Sequence, residues 1–202
     1  MKIFGIGMMK TGTSTLSACL TELGYHHAPY TPKLLRQIKQ NDYAQVPLHI
    51  AQYDSFDDHP WPSVYPWLDE NYPDSKFILT TRKDSETWYR SISQHAKRRG
   101  PTIERKLVYG YAMPQWDKAS HIAQYEAHNE AVQAYFADWP DKLLVLCWEN
   151  GDGWGELCRF LGHEVAKRPL PHANASRGRS INGRRWLRNV GKYLLLLPSL
   201  RK

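Results

Sequence analysis

An α/β fold, a P-loop three-layer sandwich with a central parallel sheet between helices, is what this sequence predicts, on three observations. Continuous apolar runs recur at residues 2–7, 76–81 and 143–148, each the length of a strand covered on both faces. Each run leads through a turn into a stretch with helical spacing, and this alternation of strand and helix argues for parallel strands covered on both sides. The first of those turns carries glycines and hydroxyl residues in the pattern of a phosphate loop.

Taken in order, the chain opens with the apolar run bounded by Gly5 and Gly7, and Leu16, Leu20 and Leu23 then follow at helical spacing, with Gly24 at the C′ position. Between them, Gly7 and Gly12 allow the backbone to turn its N–H groups inward, where they add to the positive end of the helix macrodipole. Thr11, Thr13, Ser14 and Thr15 offer hydroxyl donors at the same rim. The lysine is at Lys10, ahead of the second glycine. The triphosphatase pattern GxxxxGK[ST] places it after that glycine, where this chain has Thr13.

Residues 25–28 read as a short strand, 33–41 as a helix, and 46–50 as another short strand or extended segment. Residues 52–62, rich in acids, aromatics and prolines, read as an irregular surface loop. A helix over 63–71 precedes the second strong strand, which ends at Arg82, and Asp84 or Ser85 is placed to cap a helix containing Trp88, Ile92 and His95. Signals are mixed over 102–114; a long helix is predicted over 119–138, then the third strand, a loop from Glu149 to Gly153 and a short helix over 154–161. An extended tail and a last helix over 184–197 complete the reading. Because ligands bind at the carboxyl ends of strands in such sheets, Arg82 and the first loop should open on one edge.

At 202 residues, with 42% hydrophobic and 23% charged residues, the chain is sized for one domain, and disorder of the whole is excluded. Ten of the 27 basic residues and none of the 20 acidic ones follow Glu164, so residues 1–164 carry a formal −3 and the remainder +10. The division expected is a domain over 1–174 and a basic tail over 175–202, the tail drawn to anionic lipid as a peripheral membrane contact, with no nucleic-acid partner. Cys19, Cys147 and Cys158 lie in apolar segments without CxxC spacing, as buried thiols do, which favours a cytoplasmic setting over a disulfide-stapled one. No signal peptide is expected ahead of the first strand, and the apolar run at 193–197 is too short to span a bilayer.

Lys10-Thr11-Gly12-Thr13-Ser14 resembles the 5′-phosphosulfate loop of the sulfotransferases, P-K-[ST]-G-T-[ST], with Met9 in place of proline. The run ending at Arg82, with Ser91 in the following helix, resembles that family's 3′-phosphate pair, at a spacing of nine positions where eight is usual. Further likeness to a short single-domain branch lies in Asp58-His59-Pro60, the segment from Leu68 to Lys76, His128-Asn129, Gly151-Asp152-Gly153-Trp154, the stretch Leu157 to Gly162, and Pro171-His172-Ala173-Asn174. The resemblance covers about residues 3–174. It implies the family fold and transfer of a sulfuryl group from 3′-phosphoadenosine 5′-phosphosulfate to a hydroxyl or amine on a small molecule or glycan. Lys10, Thr11, Gly12, Thr13, Ser14, Thr15, Arg82 and Ser91 would bind the donor, and Lys10 would neutralise the leaving oxygen.

Asp58 or His59, with His49 just before them, occupies the interval where the family keeps its general base. The histidines show no HxxxH or HExxH spacing, so no metal site is expected. Two other readings stay open: a P-loop small-molecule kinase with Glu149 as a metal carboxylate, and a non-catalytic nucleotide-binding scaffold docked on membranes through its tail. The short length suggests an open cleft that a second subunit, in a homo-oligomer, would complete.

Overall fold

The computed structural model describes residues 1–171, 189, 191 and 192. Four parallel strands form one sheet in the order β2-β1-β3-β4: β1 (Ile3–Gly5), β2 (Ser55–Phe56), β3 (Lys76–Thr80) and β4 (Leu143–Leu146). Phe4 pairs with Phe56 on one side and Phe77 on the other, and its ring centroid lies 5.0 Å from that of Phe56 and 5.7 Å from that of Phe77. The pleat sends alternate residues to opposite faces. Phe4, Phe56, Phe77 and Leu79 therefore enter one core, with helices α2 (Pro32–Ile38), α3 (Val46–Ile50) and α4 (Tyr65–Asn71) and with Val132 and Phe136. Ile3, Ile78 and Leu146 enter the other, against α1 (Thr13–Glu22) and the helix at Trp154–Leu161. These are the three layers the sequence predicts.

The described residues fall into two compact units, one holding the sheet and the other built on Asp84–Glu126. In the second, α5 (Ser85–Arg99) is capped by Asp84, whose carboxylate accepts from the Thr87 N–H at 2.6 Å, and α6 (Ile103–Tyr109) by Thr102, whose hydroxyl accepts from the Arg105 N–H. Trp88 stacks on Tyr125, with ring centroids 4.5 Å apart and an interplanar angle of 7°. Tyr125 belongs to α7 (Lys118–Tyr135), and the helix at Trp154–Leu161 is α8. Of the basic tail, Asn189 donates to the carbonyls of Lys97 and Arg98, and Lys192 to that of Arg99. Those side chains satisfy carbonyls that the last turn of a helix leaves over. The rest of the expected last helix lies outside the described residues.

Several expectations are corrected. Residues 46–50 form a helix, α3, in which Pro47 fits the first turn and Val46 and Ile50, four apart, share the buried side. Inside the stretch read as a surface loop, Ser55 and Phe56 form the buried strand β2. Residues 25–28 contribute a single bridge, His27 to Ser55. The run at 143–148 is an edge strand among the described residues, with Val145 40% exposed, so it is not covered on both faces. The mixed segment at 102–114 contains α6.

Gly7 fixes how closely the first loop can approach β3. A Cβ there would stand 2.1 Å from the Thr80 hydroxyl and 2.4 Å from its carbonyl oxygen, and the carbonyl is backbone that cannot swing away. Gly7→Ala is expected to cost about 3 kcal/mol or more, read as a lowered urea midpoint at unchanged slope.

Candidate active site

All four strand ends contribute to one edge of the sheet. After β1, the loop is held by Thr11, whose N–H donates to the Met8 carbonyl at 3.3 Å and whose hydroxyl reaches the same carbonyl at 2.7 Å and the Thr80 hydroxyl at 2.6 Å. Lys10 has φ +73° and Gly12 φ +102°, so two of three consecutive residues are left-handed. For Gly12 this is the conformation glycine tolerates; for Lys10 it is strained. α1 then begins without an acidic residue in its first turn and without a side-chain cap, which leaves its positive end uncompensated on its own helix.

The four hydroxyls do not share one role. Thr11 is buried and locks the loop to β3. Thr13 is buried too, and its side chain bonds to Asp58. The Thr15 N–H closes on the Gly12 carbonyl at 2.9 Å, so it is spent inside the helix start. Lys10, Ser14 and Thr15 are half-buried and form the accessible rim.

After β2 come Asp57, Asp58 and His59. Asp58, at φ +57°, has its Oδ1 shut off from solvent with no hydrogen-bond partner among the described residues. Burial, reinforced by the negative charge of Asp57, pushes its carboxyl up to about 7, against the opposing pull of the Thr13 hydrogen bond, Lys10 and His27. A carboxyl raised in the folded state binds its proton more tightly there than when unfolded. Its stabilising contribution is therefore full below the unfolded value near 4 and is lost as pH rises through 7. Asp58→Asn removes that loss. Between pH 4 and pH 8, urea titrations are expected to show the variant gaining on the wild type by as much as about 4 kcal/mol.

His59 is 2% exposed, and burial, with the neighbouring His128 and Lys39, lowers it to about 3. Such a histidine is neutral and a weak base. His49 stacks parallel to Trp61 at 6.0 Å, as part of the aromatic packing.

The residues missed in the sequence stand beside Asp58. His27 Nδ1 lies 2.9 Å from the Ser55 hydroxyl and Nε2 lies 3.2 Å from Asp57 Oδ1. Ser55 and Asp57, two apart, are the one signal the sequence carries of a shared strand face.

Beyond β3, Arg82 is ion-paired with Glu149 at 2.9 Å, and the Lys83 N–H donates to the other carboxylate oxygen at 3.2 Å. Glu149 follows Trp148, whose indole covers Gly12 so closely that a Cβ there would sit 2.4 Å from the ring. The short turn after β4 thus touches both the loop and Arg82. Ser91 is half-buried on α5, in the other unit. Among the described residues, no group of three or more His, Cys, Asp or Glu could hold a metal ion. Nor is any described helix long and apolar enough to cross a membrane.

One edge of this α/β sheet thus brings together a glycine-turned loop at the first strand, a helix start with no acid in its own first turn, a lysine on the loop rim and an arginine just past the neighbouring strand. The chain belongs to the sulfotransferase domain family, whose pattern it matches over residues 2–178. It is also similar to Ava biosynthesis cluster protein M of Aspergillus versicolor, at 26% identity over 239 residues, covering 94% of this chain and 88% of that one.

Proposed function

We propose that the protein transfers a sulfuryl group from 3′-phosphoadenosine 5′-phosphosulfate to a hydroxyl or amine acceptor. The observation that carries this reading is the place of Lys10, ahead of the Gly12 bend and on the rim of the loop, together with Arg82 at the end of the adjacent strand. The residues suit such a donor: Lys10 lies half-buried on the loop rim, and the first turn of α1 contains no acid of its own to repel an anion. The donor supplies an activated sulfuryl group on a phosphate leaving group.

The chain's own work is positioning and charge neutralisation. Lys10 sets an ammonium beside the oxygen on which negative charge develops as the S–O bond breaks, and the amides at the start of α1 hold the phosphate. Arg82 grips the 3′-phosphate through its planar fork once Glu149 is displaced. Asp58, raised to about 7, accepts the acceptor's proton as the new O–S or N–S bond forms. Calorimetry tests the class of reaction. Binding of 3′-phosphoadenosine 5′-phosphate without Mg²⁺ is expected, and binding of ATP that depends on Mg²⁺, with no response to the bisphosphate, would overturn the reading in favour of a kinase.

A further inference from the structure

We propose that His27 is a positioning residue of this site: anchored by Ser55, it fixes the Asp57 carboxylate beside Asp58, so that a carboxylate held by His27 and a carboxyl with one oxygen unpartnered among the described residues serve the acceptor together. This rests on the proposed transfer reaction for its chemical meaning, but the arrangement itself is a property of the folded chain.

Ser55, His27 and Asp57 form a linear chain of hydrogen bonds, 2.9 Å and then 3.2 Å, across the bridge that joins residue 27 to β2. An ionised carboxylate only accepts, so Nε2 carries a proton, and in the neutral ring Nδ1 accepts from the Ser55 hydroxyl. The order of groups resembles a Ser–His–Asp triad, yet its direction is reversed. Ser55 is fully buried and cannot meet a substrate, whereas Asp57 and His27 keep 12% and 13% of their side-chain surface exposed. The serine is the anchor and the carboxylate the working end. Asp57 also stands at the strand ends, its Cβ 3.0 Å from where a side chain on Gly5 would begin, which places it beside the start of the phosphate loop.

Two adjacent carboxylates do not ionise independently, and a hydrogen bond to one decides which of them holds the proton. Asp57 receives the His27 bond and Asp58 the Thr13 bond, but Asp58 also keeps one buried oxygen without a partner among the described residues. The proton therefore belongs on Asp58, which faces Asp57 from its own loop, Lys10 from the phosphate loop, Thr13 from α1 and His27 from the bridge segment. The result is a carboxyl group with proton affinity suited to taking a proton near neutrality.

The test is the titration of Asp58 followed by carboxyl ¹³C resonances in the full-length protein without nucleotide, for the wild type, Asp57→Asn, His27→Phe and His27→Gln. Asp57→Asn is expected to lower the Asp58 midpoint by about one pH unit or more. His27→Phe should displace it by about half a unit or more, and His27→Gln, which keeps an N–H donor, should return it toward the wild-type value. The acid limb of donor desulfation should move with each midpoint. Midpoints within about 0.3 units of wild type in both Asp57→Asn and His27→Phe would overturn the proposal, as would equal displacement by phenylalanine and glutamine. The milder Ser55→Ala, expected to shift the midpoint in the same direction as His27→Phe, keeps the test valid where a His27 variant fails to fold. Absence of bisphosphate binding by the wild type would count against the reaction class alone, since the titration needs no nucleotide.

Discussion

Lys10→Ala is expected to slow desulfation of 3′-phosphoadenosine 5′-phosphosulfate by a factor of about 10²–10³, the usual loss when one preorganised donor to a developing negative charge is removed. Bisphosphate binding should weaken far less, because the loop amides and Arg82 keep their contacts with the two phosphate ends. The position allows a second comparison. At φ +73°, lysine and alanine carry the same left-handed strain, whereas glycine does not. Lys10→Gly should therefore match Lys10→Ala in lost turnover but exceed it in stability, by up to about 1 kcal/mol. Stability gained where activity is lost is the signature of strain held at a working residue. A Lys10→Ala enzyme with wild-type turnover would remove the lysine from the mechanism.

The second large effect concerns the Arg82–Glu149 pair, whose two members should respond with opposite sign. Arg82→Ala removes the fork proposed to make charge-assisted bonds to the 3′-phosphate, and bisphosphate affinity is expected to fall about 10- to 100-fold. Glu149→Gln removes the carboxylate paired with that fork. The paired side chains are 25% and 30% exposed, so solvent screening limits the pair to about 1 kcal/mol, and affinity should rise by no more than about fivefold. The gain should shrink as salt is raised. Weaker binding by Glu149→Gln would mean instead that the carboxylate orients Arg82 for the ligand.

Legibility in the sequence followed length and local pattern. β1, β3, α1 and α8 are runs long enough for apolar spacing to show, and Gly7, Gly12 and Arg82 could be placed from them. β2 could not. It is two residues long, one of them a buried serine whose hydroxyl is satisfied by a histidine 28 positions away. α3 is a single turn opening on a valine and a proline, and its pattern of two apolar ends is equally that of a strand. At the site, the loop and its lysine were visible because one contiguous motif carries them. The tasks of Thr11 and Thr13 were not, since their partners Thr80 and Asp58 arrive from other strands. His59 lies in the chain interval where the family resemblance places a general base. Its burial depends on how the loop after β2 folds inward at Asp58, which no local spacing reveals.

One nucleotide with two separate phosphate ends is expected to fit between the Lys10 loop and Arg82. A crystal structure with 3′-phosphoadenosine 5′-phosphate tests it most directly. The 5′-phosphate is expected on the loop, within reach of Lys10 and the amides at the start of α1, and the 3′-phosphate on Arg82 with Glu149 displaced. Phosphates bound away from both residues, or Glu149 still paired to Arg82 with the 3′ end elsewhere, would contradict it.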